Sequence, residues 1–353
     1  MSLVSEFDAG PLSWVKGEID QALKQAQEKL AQFSPEDATP LKLALTHLHQ
    51  VTGAIQMVGI DGAARFSEAL EKLVAGLSAP DAADHGASPG LAAEAMGALQ
   101  RHIEELAGGA PNVPLRLFPL YRAMLEACGN KGVSETDLFF PDTGLRAPKN
   151  LPTLDIPDAE LGRHVAAQRT RFQRGLLGWL RNDHDAASLT AMREALQQVE
   201  ASQRLPAHRT FWWTASALFD ALCLGGLAPS PGLKQLGGRI DQQIRRLAEG
   251  SPKVAERLLR EVLFHVARAK PISDRIKSVQ ATFELADYLP PAEEQVRQAQ
   301  DRASRLQPVL RGLREQLAPA RDAWLKATTG NRDALRQFVD CQLFSGNGSG
   351  PYS

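Results

Sequence analysis

Apolar residues recur along this chain at helical spacing, and no run alternates in the way a half-buried strand would. From Pro11 to Phe33 the positions Leu12, Val15, Ile19, Leu23, Ala26, Leu30 and Phe33 form one stripe. Pro11 suits a first helical position, where its missing N–H would be unpaired anyway. A second helix is predicted from Thr39-Pro40, read as a cap followed by proline, to about Gly59. A third covers 61–77 with Phe66, Leu70, Leu73 and Leu77 inward. After the loop "SAPDAADHGASPG", a fourth starts near Pro89 and turns Ala92, Met96, Leu99, Ile103 and Leu106 inward. Four amphipathic helices with mostly short connections predict an antiparallel bundle over residues 1–110.

The next stretch, 111–157, holds a helix over 115–128 ending at Gly129, then an irregular crossover. The crossover contains four prolines between 130 and 157, and Leu138, Phe139 and Phe140 are expected to pin it to a neighbouring surface. A second all-helical domain is predicted over 158–290, with segments near 158–181, 186–203, 206–224, 230–249, 252–269 and 272–286. Each break is rich in turn or cap residues, as in "NDHD" and "GGLAPSPG". Trp179, Phe211, Trp212, Trp213 and Phe219 read as its core aromatics. Residues 291–353 read as a charged helix, with Pro308 and Pro319 as kinks or boundaries, and a tail, "FSGNGSGPYS", that is flexible by composition and resembles a cut end. The fold class is all-α: a four-helix bundle followed by a second helical, bundle-like domain. A divergent repeat is a further expectation, with "HQVTGAIQMVG" (49–59) laid over "FWWTASALFDA" (211–221), so that Thr52 meets Thr214 and His49 meets Phe211.

Composition narrows the function. Forty basic and 41 acidic residues among 353 leave a net charge of -1, so nothing steers the chain towards nucleic acid or anionic membrane. The Arg/Gln cluster from Arg239 to Arg246, broken by Asp241, reads as a solvated helix face. No apolar run approaches the ~18 residues that span a bilayer, so direct membrane insertion is not expected. The N-terminus lacks the pattern of a secretory signal. Cys128, Cys223 and Cys341 are odd in number and far apart, which predicts buried structural thiols in a reducing cytoplasm rather than a disulfide or zinc framework.

The candidate chemistry lies in "THLHQVTGAIQMVGIDG", residues 46–62. At ~100° per residue, Leu41, Leu45, Leu48, Thr52 and Ile55 form the buried stripe, and His49 falls at its edge. Gly53 is one turn on. A glycine inside a helix costs ~1 kcal/mol relative to alanine, and open access to the imidazole is a reason for it. An exposed imidazole can act as a nucleophile towards phosphorus, one nitrogen attacking while the other is oriented by its hydrogen bond. The plainer reading is a surface histidine. His47 falls on the other flank, and residues two apart point ~200° away from each other, so the two cannot share a metal ion. His184 in "NDHD" reads as a solvated turn, and no metal site is expected. There is no P-loop, H-E-x-x-H or nucleophile elbow, and no ATP-binding pattern.

"HQVTGAIQMVG" resembles the H-x-x-K-G-x-x-x-x-x-G signature of histidine phosphotransfer (Hpt) domains. The resemblance implies an Hpt-like bundle with His49 as phosphoacceptor, Gly53 as the family glycine and Gly59 as the glycine ending the helix. Thr52 stands where the family has a lysine that offsets the phosphate charge, and Lys42, seven residues before His49, is the candidate substitute. A wider resemblance runs from about Leu12 to about Leu289. "LSWVKGEIDQALKQAQEKL", "LTHLHQVTGAIQMVGIDGAA", "SETDLFFPD" and "LLREVLFHVARAKPISDRIKSVQATFEL" look like the N-terminal region of Chp/PilL-type hybrid chemosensory kinases, which control type IV pili and twitching motility. The second half also resembles FimL-type proteins.

Two expectations follow from the resemblance. In one, the chain is a phosphotransfer module of a chemotaxis-like two-component system, serving a CheA-like kinase core and receiver domains, with Mg²⁺ supplied by the partner and no cofactor of its own. In the other, the Hpt fold is degenerate and the chain is a non-catalytic scaffold of the same system. That reading extends to a polar scaffold partner and recruitment of a cytoplasmic protein to the cell pole. At 211, the position laid over His49, the second block has Phe, which favours this alternative.

Overall fold

In the computed structural model, residues 9–34, 37–79 and 86–291 are described, and the predicted charged helix and tail lie outside them. The described helices belong to one compact unit that ends at Leu289. Among the described residues no strand forms, and the all-α class holds.

The first bundle consists of α1 (Ala9–Leu30), α2 (Thr39–Met57), α3 (Asp61–Gly76) and α4 (Pro89–Ala107). α1 packs on α2 and α4, and α3 on the same two, so the four close a ring around the predicted stripes. Leu23, Leu48, Ile55, Phe66, Leu70, Met96 and Leu99 have no exposed surface. Burying one such side chain contributes about 1.5–3 kcal/mol. A 3₁₀ turn, Pro114–Leu117, then leads into α5 (Phe118–Ala127), which packs on α3.

Helix starts follow the sequence with two corrections, the first being that α1 begins at Ala9, so that Pro11 is its third residue and not its first. Ser88 caps α4, its hydroxyl accepting from the Leu91 N–H at 3.2 Å. Thr39 is not a cap: it is the first residue of α2, and its own N–H donates to the Asp37 carboxylate at 2.9 Å. The Thr39 hydroxyl first, and this N–H second, hold the Asp37 carboxyl below its usual range.

The crossover is pinned as the aromatic run predicts. Leu138 and Phe139 are buried, Phe139 meets Phe264 edge-on at 5.4 Å, and the Arg260 guanidinium lies 4.5 Å from the centre of the Phe140 ring. Beyond it come α6 (Asp158–Arg181), α7 (Ala186–Ala201), α8 (Pro206–Cys223), α9 (Pro231–Ala248), α10 (Glu256–Arg268) and α11 (Asp274–Thr282). α6 lies against α7 and α9. Gly178 permits the close approach to α7, since a Cβ there would sit 2.0 Å from the Ser188 hydroxyl.

α8 is enclosed by α7, α10 and α11 and is buried from Arg209 to Leu222. Its buried charges are paired, although the Trp212 ring N–H and the Ser216 hydroxyl have no hydrogen-bond partner among the described residues. Glu200 of α7, 3% exposed, lies between Arg209 at 3.5 Å and Arg275 of α11. Breaking such a buried pair costs about 3–5 kcal/mol, because an uncompensated charge stays behind.

Three other expectations need correction. The 239–246 cluster is not simply a solvated face. Arg239 pairs with Glu261, Asp241 with Arg169 at 2.9 Å, and Gln243, 2% exposed, donates to the Lys253 carbonyl at 2.8 Å. α9 needs these groups because it lies between α6 and the start of α10. Cys128 is exposed, since it falls just past the end of α5, and Cys223 is half-buried; Cys341 lies outside the described residues. The proposed overlay of 49–59 on 211–221 also joins unlike places. α2 is the second helix of its group, set between α1 and α3, whereas α8 is the third helix of its own.

Candidate functional site

α2 presents one polar stripe to solvent, and its geometry follows from how the helix ends. Gly59 adopts φ +76°, a left-handed conformation that L side chains resist. Its N–H donates to the Gln56 carbonyl at 3.0 Å, and the Ile60 N–H donates to the Ile55 carbonyl at 3.3 Å. Both bonds of a Schellman cap are thus made, with Ile55 and Ile60 buried together beneath it. The chain reverses at once into α3, so α2 and α3 run antiparallel about that turn.

The reversal sets α3 side chains beside the motif. His49 is exposed, its side chain 84% accessible, and its Nδ1 lies 3.4 Å from a carboxylate oxygen of Glu71. Thr52 is buried, with its hydroxyl oxygen 2.7 Å from the Ser67 hydroxyl, 3.1 Å from the Leu48 carbonyl and against the other Glu71 oxygen. A hydroxyl has one proton to give, and the charged carboxylate is its strongest acceptor; Ser67 can then donate to Thr52. The arrangement runs from Ser67 through Thr52 and Glu71 to His49. A carboxylate accepting from Nδ1–H leaves the Nε2 lone pair outward, the tautomer a nucleophile needs.

The fold thus links His49 and Thr52 through Glu71, a residue the motif does not contain. Gly53 has no neighbouring heavy atom within 4 Å of where a Cβ would stand, so nothing in the described fold requires a glycine there. Lys42 is exposed, but it stands two turns, about 10 Å along the axis, before His49. At 52 a threonine stands in place of the family lysine, and the carboxylate beside His49 adds negative charge instead. His47 points elsewhere, with Nδ1 3.4 Å from the Gln50 side-chain oxygen, and His184 is an exposed turn residue. Among the described residues, no three His, Cys, Asp or Glu side chains come together as a metal site. No described helix is long and apolar enough to cross a membrane.

Sequence reasoning missed Glu71 and Ser67, although a signal was available. Thr52 stands eight residues before Ile60 and Ser67 eight after Gly59, while His49 and Glu71 stand eleven before and twelve after. Folding the chain about the Gly59 turn brings both pairs level. Also missed were two exposed apolar side chains at one end of the α1–α2 pair: Trp14 at 87% and Met57 at 80%. Between those helices runs a groove of about 280 Å³, lined by Glu18, Gln21, Ala22 and Gln25 against Gln50 and Ala54. Gly17, like Gly53, is a mid-helix glycine with open space around it, and each directly precedes a groove residue.

Residues 157–296 match the family model described as the FimL scaffold protein second domain. The chain is 27% identical over 323 residues to the scaffold protein FimL of Pseudomonas aeruginosa, an alignment covering 89% of this chain and 57% of that protein. The chain therefore spans little more than half the length of this relative. No solved structure matches. The chain is thus FimL-like: its second helical group carries the second-domain match, and the likeness to a FimL scaffold protein extends over most of its length.

Proposed function

We propose that this chain is a non-catalytic docking scaffold of a type IV pilus chemosensory system, and that the α1–α2 face is where a signalling partner binds. The observation that carries the reading is the exposure of Trp14 and Met57, at 87% and 80%, beside two mid-helix glycines with open space around them. Large apolar side chains held in water are costly, and interfaces concentrate their binding energy in aromatic anchors. The printed name of the relative, a scaffold protein, supports the same reading. The partners it implies are receiver domains and a CheA-like kinase core, together with a polar scaffold protein that recruits this chain, in the cytoplasm, to the cell pole.

The test is capture of purified receiver and kinase-core domains of the pilus system on the immobilised chain. Trp14→Ala is expected to weaken capture by about thirtyfold, the loss typical of an aromatic anchor worth ~2 kcal/mol. His49→Gln is expected to leave capture unchanged. Capture insensitive to Trp14 and Met57 would remove the α1–α2 face from the reading.

A second reading is favoured by one observation, the Glu71 carboxylate at His49 Nδ1. Here His49 accepts phosphate through Nε2 and passes it to a receiver aspartate, with Mg²⁺ supplied by the partner and Lys42 as the candidate to offset the charge. Incubation with an active cognate kinase core and labelled ATP decides between the readings. Acid-labile label that is lost in His49→Gln supports phosphotransfer, and its absence from the native chain leaves the scaffold.

A further inference from the structure

Far from His49 in the sequence, the crossover and the second helical group line a half-open cavity of about 260 Å³. Three pieces of chain form its walls: the crossover at Thr143 and Arg146, the first turn of α8 at His208, and the run from Pro252 to Glu256 that enters α10. Phe211 and Leu259 supply an apolar side. Each wall is fixed by hydrogen bonds. The Ala147 N–H donates to the Thr210 hydroxyl at 3.0 Å, and the buried Arg209 guanidinium donates to the Leu151 carbonyl at 3.1 Å, which fastens the crossover to α8. Gln243 holds the third wall through the Lys253 carbonyl at 2.8 Å.

Among the described residues the two cations of this cavity have no carboxylate partner, unlike several arginines nearby. Arg169, Arg204, Arg239 and Arg275 each face a carboxylate. The Arg146 guanidinium instead donates to the backbone carbonyls of Thr143 and Leu145, at 3.1 and 3.0 Å. Among the described residues neither Arg146 nor Lys253 has an ion-pair partner. Glu256 is the acid of the lining, and it stands at the first residue of α10, where the helix end already favours a negative side chain. The two helix starts at the cavity, those of α8 and α10, carry no capping side chain, nor does α6, while α7, α9 and α11 are capped by Asp185, Ser230 and Ser273. A guanidinium held by carbonyls, an ammonium and an imidazole around a preformed cavity make a donor-rich, acceptor-poor site of the kind phosphate oxygens fill.

We propose that this cavity binds a small phosphate-bearing anion, with Arg146, Lys253 and His208 donating to the phosphate and Phe211 and Leu259 facing the rest of the molecule. The volume suits a compact organic phosphate rather than a dinucleotide. This site is separate from the α1–α2 face and does not rest on the scaffold reading.

The experiment is calorimetric titration of the full chain at constant ionic strength with inorganic phosphate and, separately, with phenyl phosphate. Saturable binding of at least one is expected. Arg146→Gln and Lys253→Gln should each weaken it about tenfold or more, as expected for loss of a charged hydrogen-bond donor. Lys24→Gln, an exposed lysine of α1, should leave it unchanged. Tighter binding of phenyl phosphate assigns the apolar wall to an organic phosphate, and equal binding assigns the site to the free anion. No saturable binding of either probe, or equal binding by the native chain and both cavity variants, overturns the proposal.

Discussion

α2 and α8 carry sequences similar enough to be laid over one another, yet they occupy opposite environments. α2 buries one stripe and leaves His49, Gln50, Gly53 and Met57 to solvent or close to it. α8 is buried on every side, from Arg209 to Leu222. Position 49 is an imidazole with an accessible outer edge, whereas 211 is a phenyl ring 2% exposed against Trp212. Both threonines are buried, but Thr52 reaches across to the Glu71 carboxylate, while Thr214 satisfies itself on the Phe211 carbonyl at 2.8 Å. A helix that is apolar all round specifies a core, and a helix with one polar stripe can specify a surface. α2 therefore keeps a polar face open to solvent along its length, and the body of α8 holds the second group together.

The strongest test of that division is to cut into α8. Phe219 is 1% exposed and meets Phe172 and Trp179 edge-on at 5.5 and 6.3 Å. Phe219→Ala is expected to cost about 3–5 kcal/mol in denaturant unfolding, from lost burial and the cavity left behind. His49→Ala should change the same midpoint by less than about 0.5 kcal/mol, as surface changes do. A comparable loss at both positions would break the comparison.

A second contrast sets His49 against another histidine of its own bundle. His102 of α4 is 4% exposed and its Nε2 has no hydrogen-bond partner. Burial, with a smaller contribution from Arg116, holds its pKa down at about 4, against 6.5 ordinarily, and the bond to Asn112 acts the other way. Between these values the unfolded chain takes up a proton that the folded chain refuses. The stabilising contribution is therefore complete above pH 6.5 and is lost as pH falls towards 4, on the order of 3 kcal/mol in all. Denaturant midpoints measured across that range should fall, and His102→Leu should flatten the slope. An unchanged slope would place the acid sensitivity elsewhere.

The turn that sets α3 beside His49 offers a smaller effect. Gly59→Ala forces an alanine into φ +76° and should cost about 1–2 kcal/mol. Because nothing lies within 4 Å of the added carbon, the loss comes from the backbone and not from a clash. A neutral result would mean that the Schellman cap is not what fixes the α2–α3 reversal.

Much of this was legible in the sequence, for physical reasons. Helical periodicity marked which residues turn inward, and the breaks at "NDHD" and "GGLAPSPG" fell where α6 gives way to α7 and α8 to α9. The start near Pro89 was well placed because proline suits a first turn, whereas Thr39 misled because the acceptor at that helix start is Asp37, two residues earlier. Periodicity shows which way a side chain points but not what stands opposite. Arg239 and Gln243 therefore read as solvated although α10 and the chain before it cover them, and Glu71 went unseen although it touches both His49 and Thr52. The exposed Trp14 lies just off a stripe that was counted only for its inward members.

The finest test concerns Gly53, which suggested access to His49 in the first place. The fold does not need it, since a Cβ there meets no heavy atom within 4 Å. Helix propensity alone predicts that Gly53→Ala raises stability by about 0.5–1 kcal/mol, and the same holds for Gly17→Ala. If the glycines persist because a partner's backbone closes on the α1–α2 face, each substitution should stabilise the free chain while weakening capture of the partner. Stability measured by denaturation and capture measured on the same variants would then move in opposite directions. Were capture unchanged while stability rose, the open space beside His49 would carry no function, and Trp14 and Met57 alone would define the docking face.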